Sequence, residues 1–268
     1  MSSPDATAAS ADLAAPIAVF ESGVGGLSVL RAIRDRLPNE PLLYVADSGH
    51  APYGDRDIEF ILGRSMAIAS WMVQRGAKEI VVACNTATVV SVKALRAAFT
   101  VPIVALEPAI KPAAEGSHSH VIGVLATSRT LESPAVERLR REYGGNTKIV
   151  LQPCPGLVEQ VEQGAIDSDE TTALLQRYLE TSLRAGADHL VLGCTHYAFL
   201  RDRIQALVGP GVTLVDSGDA VARQTERRLP FAAPPGSARE EFFTTGDLAQ
   251  ARERIPALWG APVRVEPL

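Results

Sequence analysis

The chain has 268 residues, 46% hydrophobic and 21% charged, with a net charge of −5. That content fills one large or two medium cores; it excludes disorder and argues against a nucleic-acid or anionic-lipid binder. No apolar run nears the roughly 20 residues of a membrane span, and three cysteines imply no disulfide framework, so free thiols in a reducing cytoplasm are expected.

The first 15 residues are Ala/Ser-rich, lack the basic and apolar regions of a secretory signal, and are expected to form a flexible tail. Apolar runs at 17–20, 42–47, 80–84 and 103–106 read as buried strands. Between them, 27–37, 57–75 and 88–99 carry apolar residues at helical spacing. The stretch 107–120, rich in Pro, Ala, Gly and His, reads as the crossing to a second unit. There the alternation restarts, with strands at 121–126, 148–151, 189–194 and 212–215. Helices are expected at 131–143, 157–163, 169–185 and 199–208. A further helix at 216–229, a loop and a late strand in "EFFTTGD" close the chain.

Strand–helix alternation implies parallel sheets covered on both faces. The expected fold is α/β: two similar doubly wound parallel-sheet domains, pseudo-twofold related, facing each other across a cleft. The first comprises 16–108 plus 218–268, the second 109–217. Ligands sit beyond the carboxyl ends of such strands.

Two of the three cysteines end matching strands, Cys84 in "VVACNT" and Cys194 in "VLGCTH". A lone cysteine there is usually a small core residue. A matched pair, each followed by polar residues and a helix start, instead suits thiolate formation. One thiolate as base and one thiol as acid, on opposite walls of a cleft, can withdraw a proton from one face of a carbon and return one to the other. That is racemisation, with no cofactor and no metal. The five histidines form no ligand cluster with either thiol at a recognised spacing. Cys154 lacks such a setting and is read as structural. The turn Gly23-Val24-Gly25-Gly26 departs from dinucleotide-binding spacing but can offer backbone donors to an anion.

The motifs "VFESGVGGLSVL", "ADSGHAPYG", "VACNTAT", "VALEPAIKPA", "CPGLVEQVEQG" and "VLGCTHY" occur in one order across most of the chain. In these the chain resembles the glutamate racemases of the aspartate/glutamate racemase superfamily. The resemblance implies a cofactor-independent isomerase of the cytoplasm. It would make D-glutamate for peptidoglycan, and so serve cell-wall biogenesis and cell shape. Cys84 would take the proton from D-glutamate and Cys194 from L-glutamate, with His196 and Glu162 supporting Cys194. Glu21, Ser22, Pro52, Tyr53, Gly54, Asn85, Thr86, Thr195 and His196 would bind the substrate. No nucleic acid or membrane partner is implied, and the family includes homodimers.

Two departures stand out. The family usually has aspartate at the position of Glu21, and proline at that of Ala198. Two alternatives to glutamate racemisation stand beside it: a racemase of aspartate or a related amino acid, which modest pocket changes would allow, and, because of the longer arm of Glu21, a catalytically impaired binding or regulatory homologue.

Overall fold

The computed structural model describes residues 13–268, so the first twelve residues of the expected tail lie outside the described residues. The chain begins β1 (Ile17–Glu21), α1 (Leu27–Arg36), β2 (Leu42–Ala46), α2 (Ile58–Gln74), β3 (Glu79–Val82), α3 (Asn85–Ala98) and β4 (Ile103–Ala105). It continues through α4 (Ile110–Gly116), β5 (Val121–Ala126), α5 (Ser128–Leu131), α6 (Pro134–Tyr143) and β6 (Lys148–Pro153). Then come α7 (Leu157–Glu162), α8 (Asp169–Arg184), β7 (His189–Leu192), α9 (Arg201–Val208) and β8 (Thr213–Val215). The last elements are α10 (Gly218–Arg228), β9 (Glu240–Thr244), α11 (Leu248–Trp259) and β10 (Val265–Pro267).

The strands form two sheets, ordered β10-β9-β2-β1-β3-β4 and β6-β5-β7-β8. Every pairing in both is parallel. The order β2-β1-β3-β4 therefore recurs as β6-β5-β7-β8, which is the duplication expected from the two alternations. Every residue of β1, β2 and β3 is buried, as a parallel sheet covered by helices on both faces requires. One apolar cluster runs from the first sheet (Val19, Tyr44, Val81) to the second (Leu125, Leu190, Tyr197). The outer faces have their own cores, around Phe20, Val45 and Ile68 in one unit and Ile122, Val136 and Val191 in the other.

The chain differs from expectation in four places. The 107–120 stretch is not a plain connection: it holds α4, whose Ile110 and Ala113 are buried. The expected 131–143 helix is two. Ser133 takes an extended conformation before Pro134, as residues preceding proline do, and its hydroxyl accepts the Val136 N–H to start α6. The expected 199–208 helix is a 3₁₀ segment, Thr195–Leu200, followed by α9. Finally, α11 and β10 follow the late strand and were not anticipated; Asp247 caps α11 by accepting the Gln250 N–H. The two passages between the sheets touch, since Ser217 Oγ donates to the Glu107 carbonyl at 2.7 Å.

At the amino end of β3, Glu79 is fully buried and neither carboxylate oxygen has a hydrogen-bond partner. Nearby, Lys78 Nζ lies 2.5 Å from Glu40 Oε2. Burial raises the Glu79 pKa to about 8, against the pull of Arg228 and Lys78 and with a push from Glu40. A carboxyl whose folded pKa is raised is stabilised in its protonated form. Its contribution is complete below the unfolded value near 4.5 and is lost as pH climbs from there through about 8. The loss is on the order of 5 kcal/mol, at 1.36 kcal/mol per unit. Glu79→Gln is therefore expected to flatten the decline in melting temperature across that pH range. Parallel declines in variant and parent would remove Glu79 as its cause.

Candidate active site

Cys84 and Cys194 follow β3 and β7, the equivalent strands of the two sheets, and take similar extended conformations there. Cys84 is the N-cap of α3, its sulfur accepting the Ala87 N–H at 3.4 Å. Cys194 opens the 3₁₀ segment that carries Thr195 and His196. Both line one small cavity of about 20 Å³, room for about one water molecule. Glu21, Ser22, Pro52, Tyr53, Gly54, Asn85, Thr86, Thr195 and His196 line it too. The cavity thus gathers every residue named from the sequence except Glu162, which stands behind His196.

That second rank is tightly bonded. Glu162 Oε1 lies 2.6 Å from His196 Nε2 and accepts the Val24 N–H at 2.7 Å. On the other side of the ring, His196 Nδ1 is 3.7 Å from Cys194 Sγ. Glu21 folds over its own turn: Oε1 accepts from Ser22 Oγ at 2.7 Å and Oε2 from the Gly23 N–H at 2.6 Å. Its Oε2 also lies 3.8 Å from His196 Nε2. Ser22 Oγ in turn meets Cys84 Sγ at 3.8 Å.

Two N–H groups of the glycine turn, those of Gly23 and Val24, are taken by the protein's own carboxylates, Glu21 and Glu162. The missing side chains also make room. A Cβ on Gly23 would sit 1.7 Å from Glu162 Oε1, and one on Gly25 2.3 Å from His196 Nδ1.

These contacts set the charges. Burial opposes the His196 imidazolium, but Glu21 and the bonds to Cys194 and Glu162 outweigh it, holding the ring well above the usual histidine range. Burial likewise opposes ionised Glu162, and the bonds from His196 and Val24 keep it below the usual carboxylate range. Burial and the Glu21 charge push the Cys84 thiol up, despite the Ala87 N–H. Among the described residues, Glu21, Glu162 and His196 alone bring three potential metal-ligand atoms within 4.8 Å of one another.

Four polar residues at or behind the cavity were not anticipated. Thr127 and Thr130 line it, and Thr127 Oγ1 meets Thr86 Oγ1 at 3.1 Å, joining one unit to the other. Thr127 follows β5 as Ser22 follows β1, so the duplicated strand order was the signal that could have found it. Asp47 and Arg64 lie behind Tyr53. The buried Asp47 carboxylate accepts from Tyr53 Oη at 2.5 Å, from Arg64 at 2.9 and 2.7 Å, and from Thr245 at 2.7 Å. This fixes the loop that carries Pro52, Tyr53 and Gly54.

Residues 27–225 match the Asp/Glu/Hydantoin racemase family. The chain is 47% identical to the glutamate racemase of Stutzerimonas stutzeri over 96% of its own length and 98% of the relative's. It is 48% identical to that of Methylococcus capsulatus, over 94% and 95% of the two chains. Among solved structures, it superposes on glutamate racemase RacE1 from Bacillus anthracis with a TM-score of 0.86, 29% identity and coverage of 95% and 97%. The Escherichia coli glutamate racemase, solved with L-glutamate and the activator UDP-MurNAc-Ala, gives 0.85, 34% identity and coverage of 94% and 97%.

The chain belongs to the Asp/Glu/Hydantoin racemase family. Within that class it is an amino-acid racemase, an isomerase.

Proposed function

We propose that the protein interconverts L- and D-glutamate by a two-thiol mechanism, and so supplies D-glutamate for peptidoglycan in the cytoplasm. The observation that carries this reading is the placement of Cys84 and Cys194 at equivalent strand ends on one cavity. The rest of the lining suits an amino-dicarboxylate: hydroxyls of Ser22, Thr86, Thr127 and Thr195, the amide of Asn85, and carboxylate Glu21 for the ammonium. Asn85 Nδ2 is buried without a partner, a donor ready for a carboxylate oxygen. None of the described helices is long and apolar enough to cross a membrane.

In the L-to-D direction Cys194 withdraws the α-proton and the Cys84 thiol delivers its own to the opposite face. The electron pair left on carbon is held meanwhile by donors fixed before the reaction. His196, gripped by Glu162, steadies the charge on Cys194. Residues 16–108 with 218–268 act as one jaw and 109–217 as the other, closing over the substrate to exclude water. The touching passages at Glu107 and Ser217 form the hinge.

The test is incubation with L-glutamate in deuterated water. The α-proton resonance is expected to vanish as optical rotation decays to zero. Glutamate that binds but keeps its α-proton would end the proposal and favour the non-catalytic alternative. L-aspartate serves as the comparison, and faster loss of its α-proton would reassign the substrate.

A further inference from the structure

Asp47 follows β2 at the level of Glu21, its N–H donating to the Glu21 carbonyl at 2.9 Å. Its carboxylate is fully buried, and four side chains meet it. Oδ2 accepts from Tyr53 Oη and Arg64 Nε. Oδ1 accepts from Arg64 Nη2 and Thr245 Oγ1, and His50 Nδ1 lies 3.0 Å from it. Burial opposes the charge, but the bonds from Arg64, Tyr53 and Thr245 outweigh it and hold the carboxyl below its usual range.

Tyr53, His50 and Arg64 come from the loop after β2 and from α2. Thr245 comes from the far end of the chain. It follows β9, which pairs with β2 and sets Thr244 beside Ala46. The Thr245 N–H donates to the Ala46 carbonyl at 3.1 Å, and its hydroxyl accepts the Gly49 N–H at 3.2 Å. The fit is close: a Cβ on Gly49 would stand 2.6 Å from the Thr245 carbonyl oxygen, and one on Gly246 3.0 Å from Ser48 Cβ. The duplicated unit lacks this arrangement. Glu21 ends β1 where Ala126 ends β5, and Asp47 follows β2 where Cys154 follows β6. β6 is an edge strand, whereas β9 and β10 extend the sheet beyond β2. That added layer also lies outside residues 27–225, the part that matches the family.

The other end of the loop lines the active cavity through Pro52, Tyr53 and Gly54. A Cβ on Gly54 would stand 3.4 Å from Thr127 of the second unit, so the loop is where the two units meet. The Tyr53 hydroxyl is spent on Asp47, and the residue gives the cavity a wall, not a donor. The polar neighbours of the sulfurs lie elsewhere: Ser22 and Ala87 for Cys84, His196 for Cys194. With room for about one water, the cavity has little slack. A shift of this loop therefore alters how an amino-dicarboxylate fits before it alters proton transfer.

We propose that Thr245 is a positioning residue for the substrate: acting through Asp47, it sets where Tyr53 and Gly54 stand against the second unit, and so how tightly the enzyme holds glutamate. The proposal rests on the glutamate reading above and adds the C-terminal strand layer to the site.

Thr245→Val keeps the shape and removes both hydroxyl bonds; Thr245→Ser keeps the hydroxyl. Losing a hydroxyl bond to a charged group moves an equilibrium by roughly tenfold. In Thr245→Val the KM for L- and D-glutamate is expected to rise roughly tenfold, with kcat changed less than about twofold. The calorimetric Kd for L-glutamate should rise in step, and Thr245→Ser should restore all three. Tyr53→Phe takes a second donor from the same carboxylate, so its effect combined with Thr245→Val should fall short of the product of the two. A merely structural role would lower Tm or the amount of active protein and leave KM unmoved. Unchanged KM in folded Thr245→Val, lost kcat at unchanged KM, or effects that multiply independently would each overturn the proposal. Gly49→Ala, whose Cβ would press on the Thr245 carbonyl, gives a separate reading if the valine variant does not fold. Unchanged KM there is equally fatal. Unaltered protein that racemises glutamate with a KM indifferent to Thr245 would remove this inference alone. Unaltered protein that binds glutamate without turnover would remove the function and leave the Kd comparison to decide on Thr245; no binding at all would remove both.

Discussion

Cys84→Ala is expected to exchange the α-hydrogen of L-glutamate with solvent while forming no D-glutamate. On the proposed mechanism Cys194 remains as the base for the L enantiomer. Once it has taken the α-proton it can return only a solvent-derived hydrogen, and to the same face. Configuration is kept while the isotope changes. Cys194→Ala should show the mirror behaviour, exchanging D-glutamate alone. Positioned acid–base groups contribute about 10²–10⁴-fold each, so racemisation should fall by at least that much in either variant. Deuterium incorporation followed by resonance and product handedness followed by chiral chromatography separate the two effects. Racemisation at the parent rate in either variant would refute the assignment of two bases. Exchange of the wrong enantiomer would interchange the roles of the thiols.

The second large effect is predicted at a residue with no side chain. In Gly25→Ala the new Cβ would stand 2.3 Å from His196 Nδ1 and 2.6 Å from Cε1, closer than real atoms approach. The ring is pinned on its far side by Glu162, so it cannot yield without breaking that bond. Displacement by about 1 Å costs on the order of 100-fold in rate, and overpacking a filled site costs about 1–3 kcal/mol of stability. The expected phenotype is a folded, somewhat less stable protein with kcat lowered far more than KM is raised. Gly63→Ala is the control: it lies in α2, where a Cβ meets nothing within 4 Å. It should raise stability by about 0.5–1 kcal/mol and leave the rate alone. Unchanged kcat in Gly25→Ala would show that His196 is not held where the turn places it.

The parts of the fold that sequence revealed are those in which burial acts on every residue of an element. β1, β2 and β3 are apolar throughout because helices cover both faces, and their runs stand out at once. Their ends were less legible, since caps decide them: α3 begins at Asn85 because Cys84 caps it, three residues before the apolar spacing becomes clear. α4 was hidden in a composition of Pro, Ala and Gly, its place fixed by packing of Ile110 and Ala113. β10 has three residues and lies at a sheet edge, too short for any period. Within the site, Cys84 and Cys194 marked themselves by position and following residues. Thr127 and Thr130 carry no such mark and become visible only when the two strand orders are aligned. The tight fit of Gly23 and Gly25 against Glu162 and His196 depends on side chains from distant segments, which no local pattern encodes.

Glu21 has a counterpart in Ala126, and that inequality meets a limit set by the reaction itself. Mirror-image amino acids have equal free energies, so forward and reverse kcat/KM must coincide whatever the catalyst's shape. A carboxylate on one wall can therefore make one hand turn over faster only by making the enzyme hold that hand less tightly. Glu21 can divide velocity and saturation unequally between the two directions, and it leaves the final mixture racemic.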